Sequence, residues 1–384
     1  MSSTRARLPE TLLGATEHQP AARAALAAAL ATPLHAYLFA GPAGSGKRAT
    51  ARAFCAELLA DGAPDPDDAR RRALDDPSPH PDLVWLAPPG TQHLVEEVRG
   101  RVITAAAYRP FEGSRRLFVI EGAHAMADES QNALLKTLEE PAPFVHLILI
   151  TSEPAALLET VRSRCQLVRF ASLPEEAVEA RLAARGLGAG EKERRAAARL
   201  TRGNAEGAAF LLETDGRELR DAASACVDAA LSGELGEAPW RRLLDAAEAA
   251  GARAGEEARA GLAALAAAVG EEEGAAGRRR TREADEAARR AARRGRTEAL
   301  DLGLALIGSW LRDLAAVAEG ARDVILNVDG SDRLQSVGSG LDASRACRAA
   351  EIVMETRRRL QVNVSEELAL EALTFRLEAA LRDA

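Results

Sequence analysis

Aromatic residues make up only 3% of this 384-residue chain, and its four cysteines never form a CxxC pair. The ordinary apolar content of 47% is therefore carried by Ala, Leu and Val, so helix should dominate. Cys55, Cys165, Cys226 and Cys347 lie far apart, which argues against a disulfide framework or a complete zinc site and fits a reducing, cytoplasmic setting. Long apolar runs are missing too. The strongest, VHLILI at 145–150, falls well short of the roughly 20 residues needed to cross a bilayer, and the opening MSSTRARLPETLLG has no apolar secretion core. Nor is there a surplus of positive charge: the formal charge is −8 and the pI near 5.5. That balance excludes a chain that coats nucleic acid by itself, leaving DNA to be met through a local patch or other subunits.

What is present suffices for two or three domains, each with its own core. Up to about residue 170, short runs rich in Val, Ile, Leu and Phe alternate with helical stretches: AYLF (36–39), LVWL (83–86), LFVI (117–120), HLILI (146–150) and QLVRF (166–170). This alternation predicts a parallel sheet with helices on both faces. Beyond Phe170 no convincing strand remains. LPEEAVEARLAARGL (173–187) opens with Pro and acids and closes in Gly, and EKERRAAARLTRG follows, so a small helical domain is expected to end near residue 215. From 250 to 298 the chain becomes a low-complexity mixture of Ala, Arg, Glu and Gly, read as a solvated helical hairpin or a partly disordered insertion. A nucleic-acid arm is the weaker reading, because acids interleave nearly every basic cluster. Amphipathic periodicity returns at 297–320 and 365–381, predicting packed helices of a third domain.

The stretch Gly41 to Lys47, GPAGSGK, follows an expected strand and opens an expected helix, the setting of a phosphate-binding loop. Backbone N–H groups of Gly44, Ser45 and Gly46 would surround phosphates at the helix N-terminus, and Lys47 would reach their terminal oxygens. The next position calls for a hydroxyl to ligate Mg²⁺, but it is Arg48, whose guanidinium cannot ligate a cation. Thr50 falls nearly opposite on the helical turn and is a poor substitute. The acidic strand LFVIEGAHAM ends in Glu121-Gly122, where an ATPase of this kind needs an Asp for the metal and a Glu to polarise water. Glu121 retains some reach toward a metal shell, whereas Gly122 has no side chain. Hydrolysis here is not expected, although a nucleotide phosphate held without turnover stays open. Among other residues, His124 reads as a solvated loop residue, Trp240 and Trp310 as core or interface anchors, and NALLKTLEEP (132–141) as packing through Ala133, Leu134 and Leu138. Lys136 is read equally as a solvated residue or one facing DNA.

Taken in order and spacing, HAYLFAGPAGSGK (35–47), HPDLVWL (80–86), QNALLKTLEEP (131–141) and VRSRCQLVRF (161–170) resemble the bacterial clamp-loader branch of the AAA+ ATPases. QVNVSEELALEALTFRL (361–377) is similar to the closing helices of the delta-prime group of that branch. The resemblance implies an α/β RecA-like AAA+ module (1–170), a helical lid (171–215) and an all-α collar domain (216–384) carrying the 250–298 insertion. It implies membership of a hetero-pentamer with gamma/tau and delta subunits, meeting the sliding clamp and primed-template DNA through the complex. It also implies that Ser163-Arg164-Cys165 supplies Arg164 as an arginine finger to a neighbouring site, while Arg162 serves as a structural ion-pair partner. Thr151-Ser152 takes the polar sensor position. Two departures stand out: Cys55 alone remains of a four-cysteine zinc module, so no zinc is expected, and Glu206 occupies the place of a phosphate-sensing Arg. No cofactor is required on this reading, with non-hydrolysed ATP or ADP as the candidate occupant. The expectation is a non-hydrolysing stator that helps load the clamp during DNA polymerase III replication; the alternative is the ATP-hydrolysing gamma/tau-type motor.

Overall fold

The computed structural model describes residues 8–88, 93, 95–269, 275–360 and 364–382. The chain forms two compact units, one comprising Met1–Leu173 with Ala260–Arg280 and the other Pro174–Arg259 with Thr281–Ala384.

In the first unit, five strands coincide with the five apolar runs: β1 (Ala36–Ala40), β2 (Leu83–Leu86), β3 (Arg116–Glu121), β4 (Val145–Thr151) and β5 (Gln166–Arg169). Every pairing is parallel, in the order β2-β3-β4-β1-β5. Parallel strands covered on both faces must be apolar throughout, and every residue of β1 and β4 is buried. Alternation along each strand divides the core into two layers. Tyr37, Phe39, Val119 and Ile148 pack with Leu26 of the helix Pro20–Ala31 and with Phe54 and Leu58 of the helix Lys47–Ala60. Leu38, Phe118, Ile120 and Leu149 pack on the other side with Leu134 and Leu138 of the helix Asp128–Glu139. Each such side chain contributes about 1.5–3 kcal/mol by leaving water. The Tyr37 and Phe54 rings meet edge to face with centroids 5.1 Å apart.

The second unit contains no strand among its described residues. Glu175–Ala184, Glu191–Thr201, Ala205–Leu212 and Thr214–Ser232 lead into parts of two long helices, residues 239–259 of Pro239–Val269 and 281–318 of Ala275–Ala318, and then into Ser331–Gly338, Ala343–Leu360 and Glu366–Arg382. Arg199 pairs with Glu175 at 3.0 Å and donates to the Ile325 carbonyl at 2.9 Å, joining the early helices to the later part of this unit. The 250–298 stretch is helical wherever it is described, and residues 270–274 lie outside the described residues. The described bases of its two helices pack through small residues. A Cβ on Gly251 would fall 2.7 Å from the Ala292 carbonyl oxygen, and one on Gly295 would fall 2.9 Å from the Ala254 Cβ. Ion pairs Arg296–Glu248 (2.6 Å) and Arg259–Asp285 (3.1 Å) flank this contact.

Asp313 is fully buried, and its carboxylate accepts from the backbone N–H of Leu326 (3.0 Å) and of Asn327 (2.8 Å) and from Asn327 Nδ2 (2.8 Å). A buried carboxylate needs such donors, and these fold the following loop back onto the long helix. Trp240 is buried beside Phe375, and Trp310 carries the Arg333 guanidinium 5.1 Å above its ring. No described helix is long and apolar enough to cross a membrane.

Candidate nucleotide site and arginine edge

The parallel order brings the ends of β1, β3 and β4 to one edge of the sheet. Ala40 lies beside Thr151, and Glu121 beside Ile150. Such edges, where the strand order switches, are where α/β sheets receive ligands. The glycine loop leaves β1 with the Gly41 N–H donating to the Thr151 carbonyl at 3.2 Å. Gly41 has to be glycine, since a Cβ would sit 2.3 Å from the Phe170 carbonyl oxygen. Gly44 and Gly46 have φ of 67° and 89°, the left-handed region that glycine enters without penalty. The loop is tied down by buried Gln19, whose Nε2 donates to the carbonyls of Ser45 (3.0 Å) and Ala171 (2.7 Å) while its Oε1 accepts from Ala171 N–H (2.9 Å). Lys47 folds back over its own loop, donating to the carbonyls of Gly41 (2.6 Å) and Pro42 (2.5 Å).

Arg48 lies where a metal-ligating hydroxyl would be. Its Nη2 is 2.8 Å from Asp76 Oδ2, and its Nε is 3.4 Å from Glu121 Oε2. The same Glu121 oxygen accepts from Trp85 Nε1 at 2.9 Å. Asp76 is shared with Arg52, at 2.8 Å, and the Arg52 guanidinium lies 4.5 Å above the Trp85 ring. Burial pulls the Arg52 pKa down, and the Asp76 charge opposes that shift. Mg²⁺ needs oxygen ligands at about 2.0–2.1 Å, but this position presents N–H donors. These residues do not fit a magnesium ion. Thr50 offers no substitute, because it is fully buried and donates to the Ala15 carbonyl at 3.0 Å. Gly122 has φ of 64° and leaves the position after the acid bare. Among the described residues, no group of three or more His, Cys, Asp and Glu is placed to hold a metal.

Thr151 is buried at the end of β4, and its hydroxyl accepts from Glu153 N–H at 3.0 Å and lies 3.2 Å from His124 Nδ1. His124, expected to be a solvated loop residue, is thus half-buried and hydrogen-bonded to Thr151. Ser152 follows it, half-buried.

Ser163, Arg164 and Cys165 join the short helix Glu159–Arg162 to β5, which forms one border of the sheet. The Arg164 guanidinium is held by Glu139 Oε1 at 2.7 Å and donates to the Thr160 carbonyl at 2.9 Å. Ser163 also donates to the Thr160 carbonyl, at 3.2 Å. Burial pushes the Cys165 thiol up to about 12, so it is a packing group rather than a nucleophile. Buried Gln131 accepts from Leu158 N–H at 2.7 Å and donates to the Met126 carbonyl at 3.0 Å, fixing the approach to this segment. Arg162 is exposed and makes no ion pair among the described residues, contrary to the structural role expected for it. Lys136 is exposed. In the second unit, Glu206 is exposed in the first turn of Ala205–Leu212, which Asn204 caps by accepting from Gly207 N–H at 3.0 Å. Sequence reasoning gave no role to Gln19, Asp76, Arg52, Trp85 or Glu139, which act through partners distant in sequence.

Residues 19–174 match the family model described as DNA polymerase III, delta subunit. The chain is similar to the DNA polymerase III subunit delta' of Pseudomonas aeruginosa, 39% identical over 139 residues, covering 34% of this chain and 41% of that protein. The corresponding subunit of Bacillus subtilis is 33% identical over 150 residues, 38% of this chain and 45% of its own length. The subunit gamma/tau of Mycobacterium bovis is 33% identical over 169 residues, 39% of this chain and 26% of that protein. The chain spans less than half the length of each of these relatives.

Proposed function

We infer that this chain, residues 19–174 of which match the model described as DNA polymerase III, delta subunit, is a delta-prime-type, non-hydrolysing stator of the DNA polymerase III clamp loader. The observation that carries the reading is the Arg48–Glu121 pair, which stands where a hydrolysing subunit needs a metal, with bare Gly122 beside it. Arg164 supports the second half of the proposal: a guanidinium on the border of the sheet, offered to a neighbouring subunit's ATP, fits an arginine finger worth about 10³ to 10⁵ in rate. On this reading residues 171–215 form the lid and 216–384 the collar of a cytoplasmic hetero-pentamer with gamma/tau and delta subunits, which loads the sliding clamp onto primed DNA. The last helix suits a collar contact, because Leu368, Ala372, Phe375 and Ala379 form an exposed apolar stripe along it.

A second reading, an ATP-hydrolysing gamma/tau-type motor, draws on the similarity to gamma/tau subunits and on the intact glycine loop. Steady-state ATPase of the loader reconstituted with clamp and primed DNA separates the two. For a stator, Arg164→Ala in this chain lowers turnover by orders of magnitude and Lys47→Ala leaves it unchanged. Damage from Lys47→Ala, or turnover by the isolated chain, points to the motor.

A further inference from the structure

We propose that Arg48 is a resident counter-cation standing in for magnesium, so that this loop holds the phosphates of an adenosine di- or triphosphate without a metal. The inference deepens the non-hydrolysing reading of the pocket and owes nothing to Arg164.

The glycine loop is built for an anion. Gly44 and Gly46 take left-handed backbone conformations, and the helix Lys47–Ala60 begins directly after them, so that its N-terminus, which favours anions, faces the loop. What the site lacks is a place for a divalent ion. The one acid on β3 that would attract it, Glu121, is already within ion-pair distance of Arg48 and hydrogen-bonded to Trp85. A metal entering here would have to take Glu121 from a guanidinium and then lie beside that positive charge. A phosphate meets no such conflict. Arg48 is half-exposed, with 44% of its side-chain surface open, and its other partner Asp76 is equally open at 50%. Ion pairs this wet are weak and readily exchanged, and a guanidinium binds phosphate oxygens through two parallel N–H groups. Asp76 would not be stranded by the exchange, because Arg52 holds its other oxygen at 2.8 Å. Arg52 is only 10% exposed and stacked on Trp85, so it keeps the acidic loop in place while Arg48 turns to the ligand.

The test is calorimetric titration of the full chain with ADP, once with Mg²⁺ and once with EDTA, for wild type, Arg48→Thr and Arg48→Lys. Wild type and Arg48→Lys are expected to bind equally in both media, to within about twofold. Arg48→Thr, with a hydroxyl beside an unpaired Glu121, is expected to bind at least about tenfold more tightly with Mg²⁺ than with EDTA. Wild-type binding that requires Mg²⁺, wild-type binding absent in both media, or an Arg48→Thr protein indifferent to Mg²⁺ would each overturn the proposal. The exposure of Arg48 protects the fold of its variants. Because binding is read on the isolated chain and turnover on the loader, failure here and failure of the stator reading are separate results.

Discussion

Gln19 has no chemistry of its own, yet its amide closes three hydrogen bonds between the glycine loop and the segment after β5. Gln19→Ala leaves the carbonyls of Ser45 and Ala171 and one N–H without these partners in a buried site. Such losses cost roughly 1–3 kcal/mol each, less whatever water recovers. Urea unfolding of the first unit's transition should show a loss of this order, and a change near zero would mean that the loop is held by other means. The contrast with the loop glycines is instructive. Gly44 and Gly46 stand out locally because a motif demands them and positive φ explains them, whereas the partners of Gln19 lie 26 and 152 positions away. The same holds for Arg48. Its unfitness as a metal ligand is plain from residue type alone, but its partners Asp76 and Glu121 emerge only in space.

The central strands β1, β3 and β4 were legible because each is a short run apolar on both faces, which a doubly covered parallel strand requires. The 250–298 stretch was much less so. Its Ala, Gly, Arg and Glu mixture resembles a solvated sequence, yet Gly251, Gly255 and Gly295 let two helical backbones approach closely, with Ala288 and Ala292 against Gly255. Small residues give almost no hydrophobic periodicity, so close packing of this kind leaves a faint trace in sequence. Gly251→Leu should push the helices apart, since even a Cβ there falls 2.7 Å from a carbonyl oxygen. A loss of about 1–3 kcal/mol or more is expected, read by thermal unfolding followed by circular dichroism. The control is Ala252→Leu, at the exposed neighbouring position. Equal melting temperatures for the two variants would mean that the helices are not held in contact.

Three histidines that the candidate site does not use make the first unit sensitive to acid. Burial lowers the pKa of His80, His93 and His146. His146 Nδ1 lies 2.7 Å from the Leu34 carbonyl and His93 Nε2 lies 2.8 Å from that of Glu121, so those nitrogens must be the protonated ones. His80 Nδ1 accepts from Asp82 N–H at 3.1 Å, so it must be unprotonated. The unfolded chain takes up protons near pH 6.5 that the folded chain refuses, so stability is complete above about 6.5 and is lost as pH falls toward the lowered values. The melting temperature should therefore drop between pH 7 and pH 5, and His146→Gln should flatten that slope. A melting temperature constant over this range would show that the histidines titrate alike in both states.

Residue type and local pattern were enough for the five strands, the glycine loop, the missing metal hydroxyl and the helical second half, because each follows from backbone propensity, side-chain chemistry or short-range periodicity. Folding alone could settle the strand order that sets β4 between the loop and the acidic strand, the joining of His124 to Thr151 and of Glu139 to Arg164, and the pairing of Arg48 with Glu121 and Asp76. Those are long-range contacts, chosen by how buried layers pack, and no window of sequence contains both partners.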